Sequence, residues 1–233
     1  MPAPAPPQPL TPSQLAAFRA EAEHTRGIDL PVYAAHGRDW RDPLFGLGPA
    51  NAPLCIFGRD PGGTEVAHGL PFIGRGGQLV RAALHRQLHD PQAGAPTFDE
   101  SIAAGAQVFW LNTVPYKPVG NKAWSMAVKR RFQPLVAELL MGRWHGSTVL
   151  VLGREAFFWF GIGQDAAVQA ALDAFWARDD RYTATLSINY RHAGQSRALT
   201  LAPLPHPSPA NAVWFGRFAG LMDARLGPLR LSP

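Results

Sequence analysis

The stretch Leu54-Cys55-Ile56-Phe57-Gly58-Arg59-Asp60-Pro61-Gly62-Gly63, which continues to Leu79 as TEVAHGLPFIGRGGQL, decides how this chain is read. Four apolar residues followed by a glycine suit a strand buried on both faces of a parallel sheet. Just beyond it stand a carboxylate, Asp60, and two residues without side chains. Ligands of open α/β sheets bind outside the carboxyl ends of the strands, where this loop belongs. Glycines there let a flat ligand approach the backbone, whose N–H groups can bind its oxygens. The same five residues also suit a tight turn in which Asp60 bonds to its own backbone.

Outward from this stretch, apolar runs alternate with helical periodicity. Before it, Ser13 is expected to cap a helix over 13–26 that Gly27 stops, and 28–53 reads as an irregular lead-in. After it, 78–88 has helical spacing, and 90–96 breaks the pattern. Residues 107–111 (QVFWL), 148–152 (TVLVL) and 199–202 form three more buried-strand candidates; Asn112 follows the first and Gly153 the second, and the last runs into Pro203-Leu204-Pro205-His206-Pro207-Ser208-Pro209. Helices are expected at 125–141, 155–160, 165–177 and 210–226, and a hairpin from 182–188 with 189–197. Strands separated by helices argue for an α/β fold, a mostly parallel sheet covered on both faces.

At 233 residues, with 46% hydrophobic and 17% charged residues, the chain can build a well-buried core, and wholesale disorder is excluded. The expected organisation is a disordered Pro-rich arm over 1–11 and one domain over 12–233. The net charge of +5 comes from 19 Arg and 3 Lys, set against 17 acidic residues. Arg binds phosphate bidentately and stacks on bases, so the balance suits a polyanionic partner. The single cysteine, Cys55, excludes an internal disulfide and a four-cysteine metal site, and it reads as a small core residue in a reducing compartment. The opening MPAPAPPQPL has no basic and apolar signal pattern, and no run approaches a membrane span, so a soluble, cytoplasmic protein is expected.

Three polar residues stand just after strands: Asp60, Asn112 and His206. In a parallel sheet such ends share one edge, so a carboxylate, an amide and an imidazole converge on one cleft. Asp60 can orient or deprotonate water, Asn112 can read a donor–acceptor pair on a base, and His206 can donate to a developing oxyanion. That set suits hydrolysis of an N-glycosidic bond with a departing base. Phe72, between Gly69 and Gly74, can offer an aromatic face to a flipped base. Taken singly, Asn112 also reads as a turn former, Phe72 as a core residue, and His206 as structural among its prolines. Gly74-Arg75-Gly76-Gly77 looks like a phosphate loop but lacks the G-x-x-x-x-G-K-[ST] pattern.

Together these segments resemble the uracil-DNA glycosylase superfamily, along two of its branches. The cofactor-free branch carries G-Q-D-P-Y-H, A-H-G-L-C-F, L-L-L-N-T-V and H-P-S-P-L-S. This chain has Gly58-Arg59-Asp60-Pro61-Gly62-Gly63, Ala67-His68-Gly69-Leu70-Pro71-Phe72, Trp110-Leu111-Asn112-Thr113-Val114 and His206-Pro207-Ser208-Pro209-Ala210-Asn211. The iron-sulfur branch shows G-R-P-F-V-G-R-A-G-Q-L-L, which Leu70 through Leu79 match more closely. Its T-N-V-V-K-C-R-P-P-G-N aligns to Asn112 through Asn121, with Tyr116 in place of a cluster cysteine. With one cysteine in the chain, that cluster is excluded, and no metal or other cofactor is expected.

The resemblance implies a three-layer α/β/α fold around a central four-stranded, mostly parallel sheet. It implies that Asp60 and His206 are catalytic: Asp60 activates or positions water, and His206 stabilises the base anion through O2. Asn112 would read O4 and N3 and Phe72 would stack, with Gly58 and Gly62 beside the base. Arg75, Lys117 and Ser208 would contact DNA. Gly62 stands where the family's Tyr excludes a C5 methyl group, which widens the expected substrates to other modified bases. Ala210 stands where a Leu fills the vacated stack, so either Trp214 or a residue of 117–124 replaces it, or the substrate is single-stranded. The expected partner is DNA, single-stranded or as mismatched duplex, bound by a monomer. Two rivals remain open: a member that binds DNA or a damaged base without excising it, and a hydrolase of free nucleosides or nucleotides.

Overall fold

The computed structural model describes residues 9–89, 94–208 and 211–229. In chain order the elements are α1 (Pro12–Glu23), α2 (Leu30–Ala35), β1 (Leu54–Gly58), α3 (Gly63–His68), α4 (Arg75–Leu88), α5 (Phe98–Gly105), β2 (Phe109–Asn112) and α6 (Met126–Arg143). There follow β3 (Thr148–Leu152), α7 (Arg154–Trp159), α8 (Ala166–Trp176), β4 (Leu186–His192), β5 (Gln195–Leu204), α9 (Ala212–Phe215) and α10 (Phe218–Leu226). The strands form one sheet in the order β2-β1-β3-β5-β4; β4 alone runs antiparallel, against β5.

The α/β expectation holds, with one more strand than four. The hairpin and the last buried strand, read as separate, share one element: β5 pairs with β4 through its first half and with β3 through its second. A two-residue turn at Ala193 and Gly194, both with positive φ, suits the twist of such a hairpin. β4 buries Ile188 and Tyr190 and exposes Ser187, Asn189 and Arg191, as a half-covered edge strand should.

Alternate side chains of the inner strands feed two cores. Cys55, Phe57, Val149, Val151 and Leu201 pack with residues of α1, α6, α7 and α8. Leu54, Ile56, Leu150, Leu152 and Leu204 pack with residues of α4, α5 and α10. Helices therefore cover both faces of the sheet, and the loops at the strands' carboxyl ends remain free to build a site.

Several boundaries move. Thr11, not Ser13, caps α1, through a reciprocal pair of bonds with Gln14 at 3.2 Å each. The 28–53 lead-in contains α2. The 78–88 helix starts at Arg75 and so includes Gly76 and Gly77 in its first turn. No periodicity announced α5, which Thr97 and Glu100 hold with a capping box. The C-terminal helix is broken into α9 and α10. Residues 1–8 of the expected arm, and Ala210 at the expected wedge position, lie outside the described residues. Among the described residues no helix is long and apolar enough to cross a membrane.

Candidate active site

Strand order and register bring the expected residues together. β1 lies between β2 and β3, with Gly58 opposite Asn112, and β3 ends with Leu152 opposite Leu204. The chains leaving β1, β2 and β5 therefore emerge at one edge of the sheet. There Asp60, Asn112 and His206 line a cleft of about 350 Å³, together with Gly58, Gly62, Phe72, Arg75 and Ser208. Lys117 is placed differently. It is buried, and its Nζ donates to Asp29 Oδ2 at 2.6 Å and to the Pro118 carbonyl at 3.0 Å. Those bonds tie the loop after β2 to the start of α2, and they leave no free cation there for a phosphate.

The Asp60 side chain is 2% exposed. Its Oδ1 accepts from Thr113 Oγ1 at 3.0 Å, and Oδ2 lies 3.7 Å from an Arg59 nitrogen without a hydrogen bond. Burial pushes the carboxyl up to about 6, against the pull of Arg59, the Thr113 bond and Lys129. Lys129 is itself buried on α6 and paired with Glu155 of α7. His206 is moved the other way: burial, and then repulsion from Arg59, lower it to about 4. At neutral pH the site thus holds an ionised carboxylate close to its proton-accepting range and a neutral imidazole. Asn112 donates its side-chain nitrogen to the Arg59 carbonyl, while its Oδ1 is buried without a partner.

Phe72 is held in an unusual backbone conformation, with φ of +55°. Arg81 reaches under it from α4: Nε donates to the Phe72 carbonyl at 2.8 Å, and the terminal nitrogens donate to the carbonyls of Pro71 at 3.1 Å and Ser101 at 3.2 Å. The guanidinium also stacks over Trp110, 4.6 Å from the ring centre. Phe72's own ring lies 5.0 Å from Trp110 and covers Gly58, where a Cβ would come within 2.5 Å of it. Gly58 is therefore required for close approach.

Glu65 clamps the two glycine loops, accepting from the Gly62 N–H at 3.1 Å and the Gly74 N–H at 2.8 Å. The first turn of α4 meets the loop after β5 at Gly76, whose added Cβ would fall 2.0 Å from the Pro207 carbonyl oxygen. Sequence reasoning missed Arg59, Glu65 and Arg81. A signal existed for Glu65, which stands three residues after Gly62, the position from which a carboxylate reaches back to a helix start.

A profile of the family described as Uracil DNA glycosylase superfamily matches residues 45–227, a span that contains every cleft residue named above. A second similarity, 32% identity over 104 residues, is to the ribonuclease P protein component of Salinispora tropica; it covers 42% of this chain and 76% of that protein. The longer match decides the family, because it alone includes more than half of the chain.

Proposed function

The chain belongs to the uracil DNA glycosylase superfamily, and from that premise we propose that it hydrolyses the N-glycosidic bond of uracil, or of a related deaminated base, in DNA and leaves an abasic site. The observation that carries this reading is the meeting of Asp60 and His206 in one cleft, with burial favouring the neutral form of each. A flipped nucleotide seats its base against Phe72, and Asn112 Oδ1 accepts the base N–H. Water oxygen bonds to C1′ as the C1′–N bond breaks, and the bond's electron pair leaves with the base. Asp60 takes the water's proton, and neutral His206 donates a hydrogen bond to the anionic base oxygen.

Arg75 and Ser208, at the rim, serve as phosphate contacts. Single-stranded or mismatched DNA is the favoured substrate, because extrusion costs least there. The absence of a side chain at Gly62 fits tolerance of groups at C5. The reading is of a monomer that works without metal or cofactor; Cys55, the one thiol, is buried within β1.

The test is a labelled single-stranded oligonucleotide with one uracil, incubated with the protein and then treated with alkali. The wild type is expected to cleave, and Asp60→Asn and His206→Ala to fall at least about tenfold, a loss of about 1.4 kcal/mol or more in transition-state stabilisation. A stable complex with uracil-DNA and no cleavage would favour a member that binds without excising.

A further inference from the structure

Three side chains of the cleft each keep a buried polar atom without a hydrogen-bond partner in the protein: Arg59 Nε, Asp60 Oδ2 and Asn112 Oδ1. Buried polar groups are nearly always paired, so three at one place point to a ligand that completes them. In the glycosylase reading the attacking water completes Asp60. The other two form a pattern.

Asn112 has committed its amide nitrogen to the Arg59 carbonyl. That bond also orients the amide, since the opposite placement would set oxygen against oxygen. What Asn112 offers a base is therefore an acceptor, Oδ1, which calls for an N–H. In uracil a carbonyl flanks that N–H, and the carbonyl needs a donor. Arg59 is the adjoining side chain. Its side chain is 25% exposed and lines the cleft, and among the described residues its guanidinium makes two long contacts, 3.5 Å to the Asn121 carbonyl and 3.7 Å to Asp60 Oδ2.

We propose that Arg59 reads the base: its guanidinium donates to the carbonyl beside the N–H that Asn112 Oδ1 accepts, so the pair recognises the lactam edge, O=C–N–H. This rests on the glycosylase reading and narrows it to a substrate class. Deamination creates that edge. Cytosine shows the reverse, a ring-nitrogen lone pair toward Asn112 Oδ1 and an amine toward a cation, so both contacts turn repulsive. The contact also strengthens during reaction, because the leaving base gathers negative charge beside a fixed cation.

The test uses binding, so that it does not depend on excision. In the Asp60→Asn protein, affinities are measured by fluorescence anisotropy for single-stranded oligonucleotides identical except for one uracil, cytosine or N3-methyluracil. The expected result is at least a tenfold preference for uracil over both others. Arg59→Ala added to Asp60→Asn should bring the uracil-over-cytosine preference within about threefold, by weakening uracil and relieving cytosine, while N3-methyluracil, which keeps the carbonyl, weakens in step with uracil; Arg59→Gln, whose amide still donates, should retain part of the preference. A uracil-over-cytosine preference that survives Arg59→Ala undiminished overturns the proposal. So does equal weakening for all three oligonucleotides with a shallower salt dependence, which would make Arg59 a phosphate contact. Uracil excision by the wild type with no binding preference in Asp60→Asn also overturns it and leaves the glycosylase reading standing. Neither excision nor preference would end both.

Discussion

The two loops that face each other across the cleft are held by opposite means. The segment after β1 is fixed by charged side chains: half-buried Glu65 gathers the N–H groups of Gly62 and Gly74, and buried Arg81 gathers the carbonyls of Pro71, Phe72 and Ser101. The segment after β5 is fixed by its own covalent geometry, with Pro205 and Pro207 on either side of His206 and a turn bond from Ser208 N–H to the His206 carbonyl at 2.8 Å. One loop depends on side chains supplied by helices. The other carries its stiffness in the backbone. The difference teaches where the site is vulnerable, because a buried charge is costly to strand whereas a proline acts largely by restricting the unfolded chain.

Arg81→Met is expected to have the largest effect. It leaves three carbonyls without their donor beneath Phe72, and a loss of about 3 kcal/mol is expected in urea unfolding, with excision falling in parallel.

A second effect sets Asp60 and His206 against each other by pH. Asp60 is raised from 3.8 to about 6 on folding, so its stabilising contribution is full below about 4 and is lost as pH rises through about 6. His206 is lowered from 6.5 to about 4, so its contribution is full above 6.5 and is lost as pH falls through about 4. Each amounts to about 3 kcal/mol over the window, and the slopes oppose one another. Melting temperatures of the wild type should therefore vary less between pH 4 and 6.5 than those of either variant. Asp60→Asn should lose stability as pH is lowered, and His206→Gln as pH is raised. Parallel profiles for all three proteins would show that the burial of these groups has no such effect.

The smallest effects sharpen the contrast directly. Glu65→Gln replaces one of two acceptor oxygens by a donor facing an N–H, and about 1–2 kcal/mol should be lost. Pro205→Ala should cost under about 1 kcal/mol, since it mainly loosens the unfolded chain. Urea midpoints for the two variants, measured side by side, check the order; a larger loss for Pro205→Ala would reverse it.

The site's corners were legible because each is a local event: an apolar run that stops on a polar residue, as at Gly58-Arg59-Asp60, Leu111-Asn112 and Leu204-Pro205-His206. Parallel pairing then brings such ends together without further information. What supports the corners was not legible, because it depends on partners distant in the chain. Arg81 looks like an ordinary polar residue of a helix until the carbonyls of Pro71, Phe72 and Ser101 fold around it. Lys117 looked like a DNA contact, and its pairing with Asp29, 88 residues away, is invisible to spacing. The fifth strand was misjudged for a different reason. β5 alternates where only β4 covers it and turns continuously apolar where it enters the sheet, so one strand carries two patterns.

Under the proposed function this cleft separates a base from DNA by hydrolysis. Its most direct test is to incubate the wild-type protein with an oligonucleotide holding one uracil and to follow both products by mass spectrometry. Free uracil and abasic DNA are expected in equal amounts, with one solvent oxygen at C1′ when the reaction is run in ¹⁸O-water. Intact uracil-DNA recovered after prolonged incubation, whether free or in complex, would contradict it.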